Sequence, residues 1–162
     1  MTYLETQRLL LRNLSSTDME TIFAYRNHPD CAKYQRWDDT SKEAVAHLIE
    51  NHHLDCFLSQ KEEQHYGVYL KNGEFIGDIS YFYNENDPCI TLGITIVPDH
   101  QHKGYAKEIL QEVITAIRHK YPNIDIVALI DPKNEPSLRL FQKLGFQEEC
   151  YAASIASCVY VL

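Results

Sequence analysis

The stretch Asp99-His100-Gln101-His102-Lys103-Gly104-Tyr105-Ala106-Lys107-Glu108-Ile109-Leu110 sets a lone glycine between a polar run and an amphipathic one. Ahead of it, Cys89 to Val97 is a β-rich run ended by Pro98. Behind it, Ala106, Ile109, Leu110, Val113, Ile114 and Ile117 recur at three- and four-residue spacing, which predicts a helix from Gly104 to about Tyr121. Pro122-Asn123 breaks that helix, and Ile124 to Ile130 reads as a buried strand. Strand, helix, strand is a crossover unit, so the runs at 89–97 and 124–130 are expected to lie parallel.

Working toward the N-terminus, Phe75 to Tyr83 and Tyr66 to Leu70 are β-rich and flank Lys71-Asn72-Gly73-Glu74, a hairpin signal in which both central residues are expected to take positive φ. With the strand at 89–97 they form an antiparallel meander. Arg8 to Leu14 reads as a first strand, followed by the cap cluster Ser15-Ser16-Thr17-Asp18 and a helix that stops at His28-Pro29. Ser41 caps a second helix, whose period runs through Val45, Leu48, Ile49 and Leu54. Toward the C-terminus, Asn134 caps a helix from about Pro136 to Leu144, and Gly145 supplies its left-handed stop. Phe146 to Tyr151 and Ser157 to Leu162 are closing strands. The pattern is α+β: a meander leading into one βαβ crossover, expected as a single domain over residues 1–162.

Ligands of open α/β sheets gather beyond the carboxyl ends of parallel strands. Here that rim is Val97 to Gly104 and Asp131 to Ser137. A helix start offers unpaired N–H groups and the positive end of the helix dipole to an anion. Gly104 either relaxes a tight strand-to-helix turn or admits a phosphate to the backbone; on its own the residue does not choose. No G-x-G-x-x-G follows a strand and no G-x-x-x-x-G-K-[ST] occurs, so neither a dinucleotide fold nor a P-loop nucleotidase is supported.

A formal net charge of −8 disfavours nucleic acid and anionic membrane as partners. The five cysteines are odd in number and form no C-x-x-C pair, which points to reduced thiols in a cytoplasmic chain. No apolar run approaches a membrane span. Asp99, His100 and His102 are read as polar loop residues, and no metal is expected.

Gln101-His102-Lys103-Gly104-Tyr105-Ala106 resembles the [QR]-x-x-G-x-[GA] signature of the GNAT acetyltransferase superfamily. Asn134-Glu135-Pro136-Ser137, with Leu140-Phe141-Gln142-Lys143-Leu144-Gly145-Phe146, resembles its second motif in the expected order. Thr6 to Arg12, Tyr34 to Trp37 and Ser41-Lys42-Glu43 are similar to the branch that includes the ribosomal-protein N-terminal (alanine and serine) acetyltransferases.

The resemblance implies splayed central parallel strands and acetyl-CoA as co-substrate for an amine acceptor, in a monomer or homodimer. Ile96 and Val97 would then present backbone groups to the pantetheine arm, Gln101 would open the diphosphate signature, and His102, Lys103, Gly104, Tyr105 and Ala106 would hold the diphosphate. Asn134 would bond the arm and Phe141 would pack beside the thioester. The chain departs from the family twice: Thr91 stands where relatives carry a glutamate base, and Phe141 where they carry a tyrosine acid. Ser137 is the nearest hydroxyl to serve as donor to the leaving sulfur; Asp78 or a water relay is the candidate base. The departures also raise a second reading, a CoA-binding module with little or no transferase activity.

Overall fold

The computed structural model describes all 162 residues. Its strands are β1 (Thr2–Glu5), β2 (Leu9–Asn13), β3 (Glu63–Leu70), β4 (Phe75–Asn84), β5 (Cys89–Ile96), β6 (Asp125–Ile130), β7 (Gln147–Ala152) and β8 (Ser157–Val161). Its helices are α1 (Met19–Arg26), α2 (Pro29–Ala32), α3 (Lys42–His52), α4 (Tyr105–Lys120) and α5 (Glu135–Lys143). The strands form one sheet in the order β1-β2-β3-β4-β5-β6-β8-β7. Only β5 and β6 pair in parallel, as a crossover through α4 requires. No helix is long and apolar enough to cross a membrane.

The predicted meander and crossover are present, and the structure adds detail. The segment before Leu9 forms a short strand, β1, antiparallel to β2. β3 begins at Glu63 rather than Tyr66, and α3 ends at His52, leaving Leu54 exposed. Pro29–Ala32 makes one helical turn, with Pro at its start and the His28 ring accepting the Asp30 N–H at 3.2 Å. In the β3–β4 turn only Gly73 has positive φ, +91°, whereas Asn72 does not. The Gly73 N–H donates to the Leu70 carbonyl and the Leu70 N–H to the Glu74 carbonyl, each at 2.9 Å. That is a three-residue loop ending in a left-handed glycine, not the two-residue mirror-image turn.

Ser41 caps α3 as expected, whereas Ser15 caps a 3-10 turn, Ser16–Asp18, that leads into α1, whose own N-cap Asp18 makes no side-chain cap bond. The Ser15 N–H donates to the Asp18 carboxylate at 2.8 Å, and the Ser41 hydroxyl accepts the Ala44 N–H at 3.1 Å. Helix α4 buries Ile109, Leu110, Val113 and Ile117 completely, and its stripe packs on β2 and β5. These residues join Leu9, Leu11, Ile79, Ile90 and Ile126 in the larger core cluster. Strand alternation turns the other set of side chains to the opposite face, where α1 and α3 cover Tyr69 and Phe75 with Ile22, Tyr25, Val45 and Ile49.

Because Ile117 is fully buried in that stripe, Ile117→Ala should cost about 2–5 kcal/mol of unfolding free energy. Urea denaturation checks this; a loss well under 1 kcal/mol would place the side chain outside the core.

Candidate active site

Strands β5 and β6 are registered at only three positions, Cys89–Asp125, Ile90–Ile126 and Thr91–Val127. Beyond Thr91, β5 runs on to Ile96 paired with β4. The expected splay is therefore present. In an antiparallel ladder alternate residues point their backbone groups at the partner. The Val97 N–H donates to the Ile76 carbonyl at 2.8 Å, so the set that includes Ile94 and Ile96 faces the gap.

At the mouth of this gap lies a cleft of about 420 Å³. Ile94, Thr95 and Ile96 form one wall, and Asn134, Ser137 and Leu140 of α5 form the other. Gln101, His102, Gly104, Tyr105 and Ala106 line its end, while Cys31, Tyr34 and Gln35 cover it from the α2 side. Lys107, Arg139 and Lys143 add positive charge to this rim of an otherwise acidic chain.

The loop before α4 is held in an unusual conformation. Gly104 has φ +80°, and His102, with φ +62°, is one of three non-glycine residues in the left-handed region. For an L-residue that conformation costs roughly 1–2 kcal/mol, and such strain concentrates at functional sites. A helical bond runs from the Glu108 N–H to the Gly104 carbonyl at 3.1 Å. The N–H groups of Tyr105, Ala106 and Lys107 precede it, so they open the helix without an intrahelical acceptor.

One acidic residue braces the loop. Glu108 accepts the Thr6 hydroxyl at 2.6 Å, the Arg8 N–H at 2.9 Å and the Arg8 Nε at 2.6 Å. The same guanidinium donates to the Lys103 carbonyl at 2.9 Å and lies 4.5 Å from the centre of the Tyr105 ring. A Cβ on Gly104 would stand 3.4 Å from Arg8 Nη2. At the other end, the Gln101 amide donates to the Ile96 carbonyl at 2.9 Å and to Cys31 Sγ at 3.8 Å.

Of the site residues expected from sequence, Ile96, Gln101, His102, Gly104, Tyr105, Ala106, Asn134 and Ser137 line the cleft together. Three stand differently. Val97 has both backbone groups bonded, its N–H to Ile76 and its carbonyl to the His100 N–H at 3.0 Å, and it does not line the cleft. Phe141 is 3% exposed and packs edge-on against Phe146 at 5.0 Å, because the buried stripe of α5 turns it inward; Leu140 takes the cleft position instead. Lys103 is exposed and contributes its carbonyl to Arg8 rather than a side chain to the cleft wall.

Asp78 is neither a solvated face residue nor a cleft residue. It is 6% exposed on β4 and accepts the Tyr25 hydroxyl. Burial first, and then that carboxylate, push the Tyr25 phenol well up. In the cleft wall, burial and the neighbouring Asp30 push the Cys31 thiol up against the opposing bond from Gln101. A protonated, buried thiol is a poor nucleophile. His100 also lines the cleft, with its Nε2 3.1 Å from Glu74 Oε1.

Asn134 caps α5 by accepting the Ser137 N–H at 3.4 Å, which leaves its Nδ2 outside the cap. Arg8, Lys107, Arg139, Lys143 and Leu140 are functional candidates that sequence reasoning missed. Arg139 and Lys143, four apart, carried a signal for one charged helix face; nothing in the sequence joins Arg8 to a partner one hundred residues away.

Comparison with known proteins fits this geometry. Residues 8–147 match the family model described as the acetyltransferase (GNAT) domain. YoaA of Bacillus subtilis, an uncharacterized N-acetyltransferase, is 28% identical over 149 residues, which covers 90% of this chain and 83% of the relative. RimL, a ribosomal alpha-N-protein acetyltransferase solved in complex with coenzyme A, shares the fold with a TM-score of 0.83 at 15% identity, covering 100% of this chain and 97% of its own. Spermidine N-acetyltransferase from Vibrio cholerae, solved with CoA and spermine, has a TM-score of 0.76 at 20% identity, with 96% and 94% covered.

The Glu108 brace carries a pH signature. Burial pushes its carboxyl up, but the bonds from Thr6 and Arg8 outweigh that and hold it below its ordinary value of 4.5. A carboxyl depressed in the folded state contributes stability that is full above the unfolded value and is lost as pH falls through the folded one. The urea midpoint of the wild type should therefore fall more steeply than that of Glu108→Gln as pH drops from neutral into the carboxylate range. Parallel curves would show that the brace contributes nothing.

Proposed function

Because this chain belongs to the acetyltransferase (GNAT) family, we propose that it transfers the acetyl group of acetyl-CoA to a primary amine, either a protein α-amino group or a small-molecule amine. The observation that carries this reading is the left-handed loop at Gly104, with its free helix-start amides, set at the end of a gap along which β5 has parted from β6. A diphosphate needs converging N–H donors, and the amide-bearing pantetheine arm needs a strand edge to bond; the two stand end to end here. Lys107, Arg139 and Lys143 supply the local positive charge that a net −8 chain otherwise lacks.

On this reading the amides of Gly104 to Ala106 take the diphosphate and Ile94 and Ile96 take the arm, with Asn134 Nδ2 on the same arm. The acceptor nitrogen attacks the thioester carbonyl, its carbon–nitrogen bond forms, and the carbon–sulfur bond breaks with CoA leaving as thiol. Ser137, in the α5 wall, donates to the departing sulfur. Thr91 offers no base, and Asp78 is buried away from the cleft, so the amine loses its proton through water to solvent. The high Cys31 pKa argues against an acetyl-cysteine intermediate and for direct attack in a ternary complex. Much of the rate gain then comes from holding amine and thioester together.

The inward turn of Phe141 and the threonine at 91 favour a second reading, a CoA-binding module without turnover. One assay separates the two. Purified protein with acetyl-CoA and a panel of amines and N-terminal peptides should release free thiol, and Gly104→Val should weaken CoA binding at least tenfold in calorimetry while remaining folded. Tight CoA binding with no thiol release across the panel would favour the module, and unchanged affinity in a folded Gly104→Val would remove the diphosphate from this loop.

A further inference from the structure

Outside the cleft, the end of α3 and the start of β3 bring His52, Glu63 and His65 together, with one donor atom from each within 4.8 Å of the others. The two histidines are buried, and Glu63 opens the group to solvent. The imidazole rings stand 4.6 Å apart, tilted by 55°. Glu63 Oε1 is 2.9 Å from His65 Nε2.

Each imidazole has a carboxylate behind it. His52 Nδ1 lies 2.7 Å from Asp55 Oδ2, which leaves its Nε2 for another partner. His65 Nδ1 faces Asp78 Oδ2 at 3.7 Å and, though buried, has no hydrogen-bond partner. Both carboxylates are themselves fixed: Asp55 by the Lys61 ammonium and by the His65 N–H at 3.0 Å, Asp78 by the Tyr25 hydroxyl. A carboxylate on the far nitrogen is how proteins orient metal-binding histidines and raise their basicity. Charge points the same way: three carboxylates (Asp55, Glu63, Asp78) less one ammonium (Lys61) leave two negative charges around the two rings, a balance that favours a cation.

We propose that His52 Nε2, His65 Nε2 and the Glu63 carboxylate bind one Zn²⁺, with water in the fourth position. Two imidazoles and one carboxylate suit zinc, whereas Mg²⁺ and Ca²⁺ take oxygen shells. Metal on Nε2 fixes the proton of His65 on Nδ1, where a small movement toward Asp78 gives that orphaned nitrogen its partner. The ion pins α3 to β3.

The test is titration of chelator-treated full-length protein with Zn²⁺ and separately with Mg²⁺, followed by calorimetry and thermal melting. One Zn²⁺ per chain is expected, with a raised melting temperature and no comparable Mg²⁺ response. Affinity should drop at least tenfold in Glu63→Gln and in His52→Gln, and stay unchanged in His47→Ala, an exposed histidine of the same helix. Glu63 is exposed, so its variant carries the test should the His52 variant fail to fold. No zinc uptake, uptake that survives Glu63→Gln, or Mg²⁺ binding as tight as zinc would each overturn the site.

Discussion

Everything in the candidate active site depends on the parting of β5 and β6 after three registered positions. A parallel pair held along its whole length would spend the backbone groups of Ile94 and Ile96 on its neighbour and leave no room for a ligand. The parting takes β6 away from those groups; the Gln101 amide takes up the Ile96 carbonyl at 2.9 Å, and the rest are left for a ligand or water, since an unbonded buried group is costly. It also lets α4 begin beside the open edge, so that the helix start and the strand edge converge on one cleft. Strand β6 does not lose order in consequence, because its far edge is paired with β8 from Val127 to Ile130.

The Gly104 loop shows how such a site is kept ready. Two left-handed residues, His102 and Gly104, aim the backbone at the cleft, and the conformation is held from outside by Arg8 and Thr6 through Glu108. That brace comes from the turn between β1 and β2, so the N-terminal end of the chain sets the geometry of a loop one hundred residues later. Arg8 also brings positive charge to the loop without entering the cleft wall.

Local pattern made much of this legible. The 3–4 spacing of α4, the caps at Ser15, Ser41 and Asn134, and the Gly145 stop are short-range signals, and each appears in the fold. The resemblance supplied the splay and most of the cleft residues. What escaped needed a third dimension. Whether Phe141 or Leu140 faces the cleft depends on the rotation of α5 by one residue. Val97 follows directly on β5 in sequence, yet its N–H is spent on the Ile76 carbonyl. Asp78 reads as a plain strand carboxylate, yet Tyr25 and His65 converge on it from elements more than ten residues away. The pairing of His52 with His65 across α3 and β3 is equally invisible to spacing.

The central claim is that a CoA diphosphate rests on the start of α4, with the arm along the opened edge of β5. A crystal structure of the protein with CoA tests it most directly. The account predicts diphosphate oxygens within hydrogen-bonding distance of the Gly104, Tyr105 and Ala106 amides, and arm amides bonded to Ile94 and Ile96. A CoA seated elsewhere, with those amides still unpaired or bonded only to water, would contradict it.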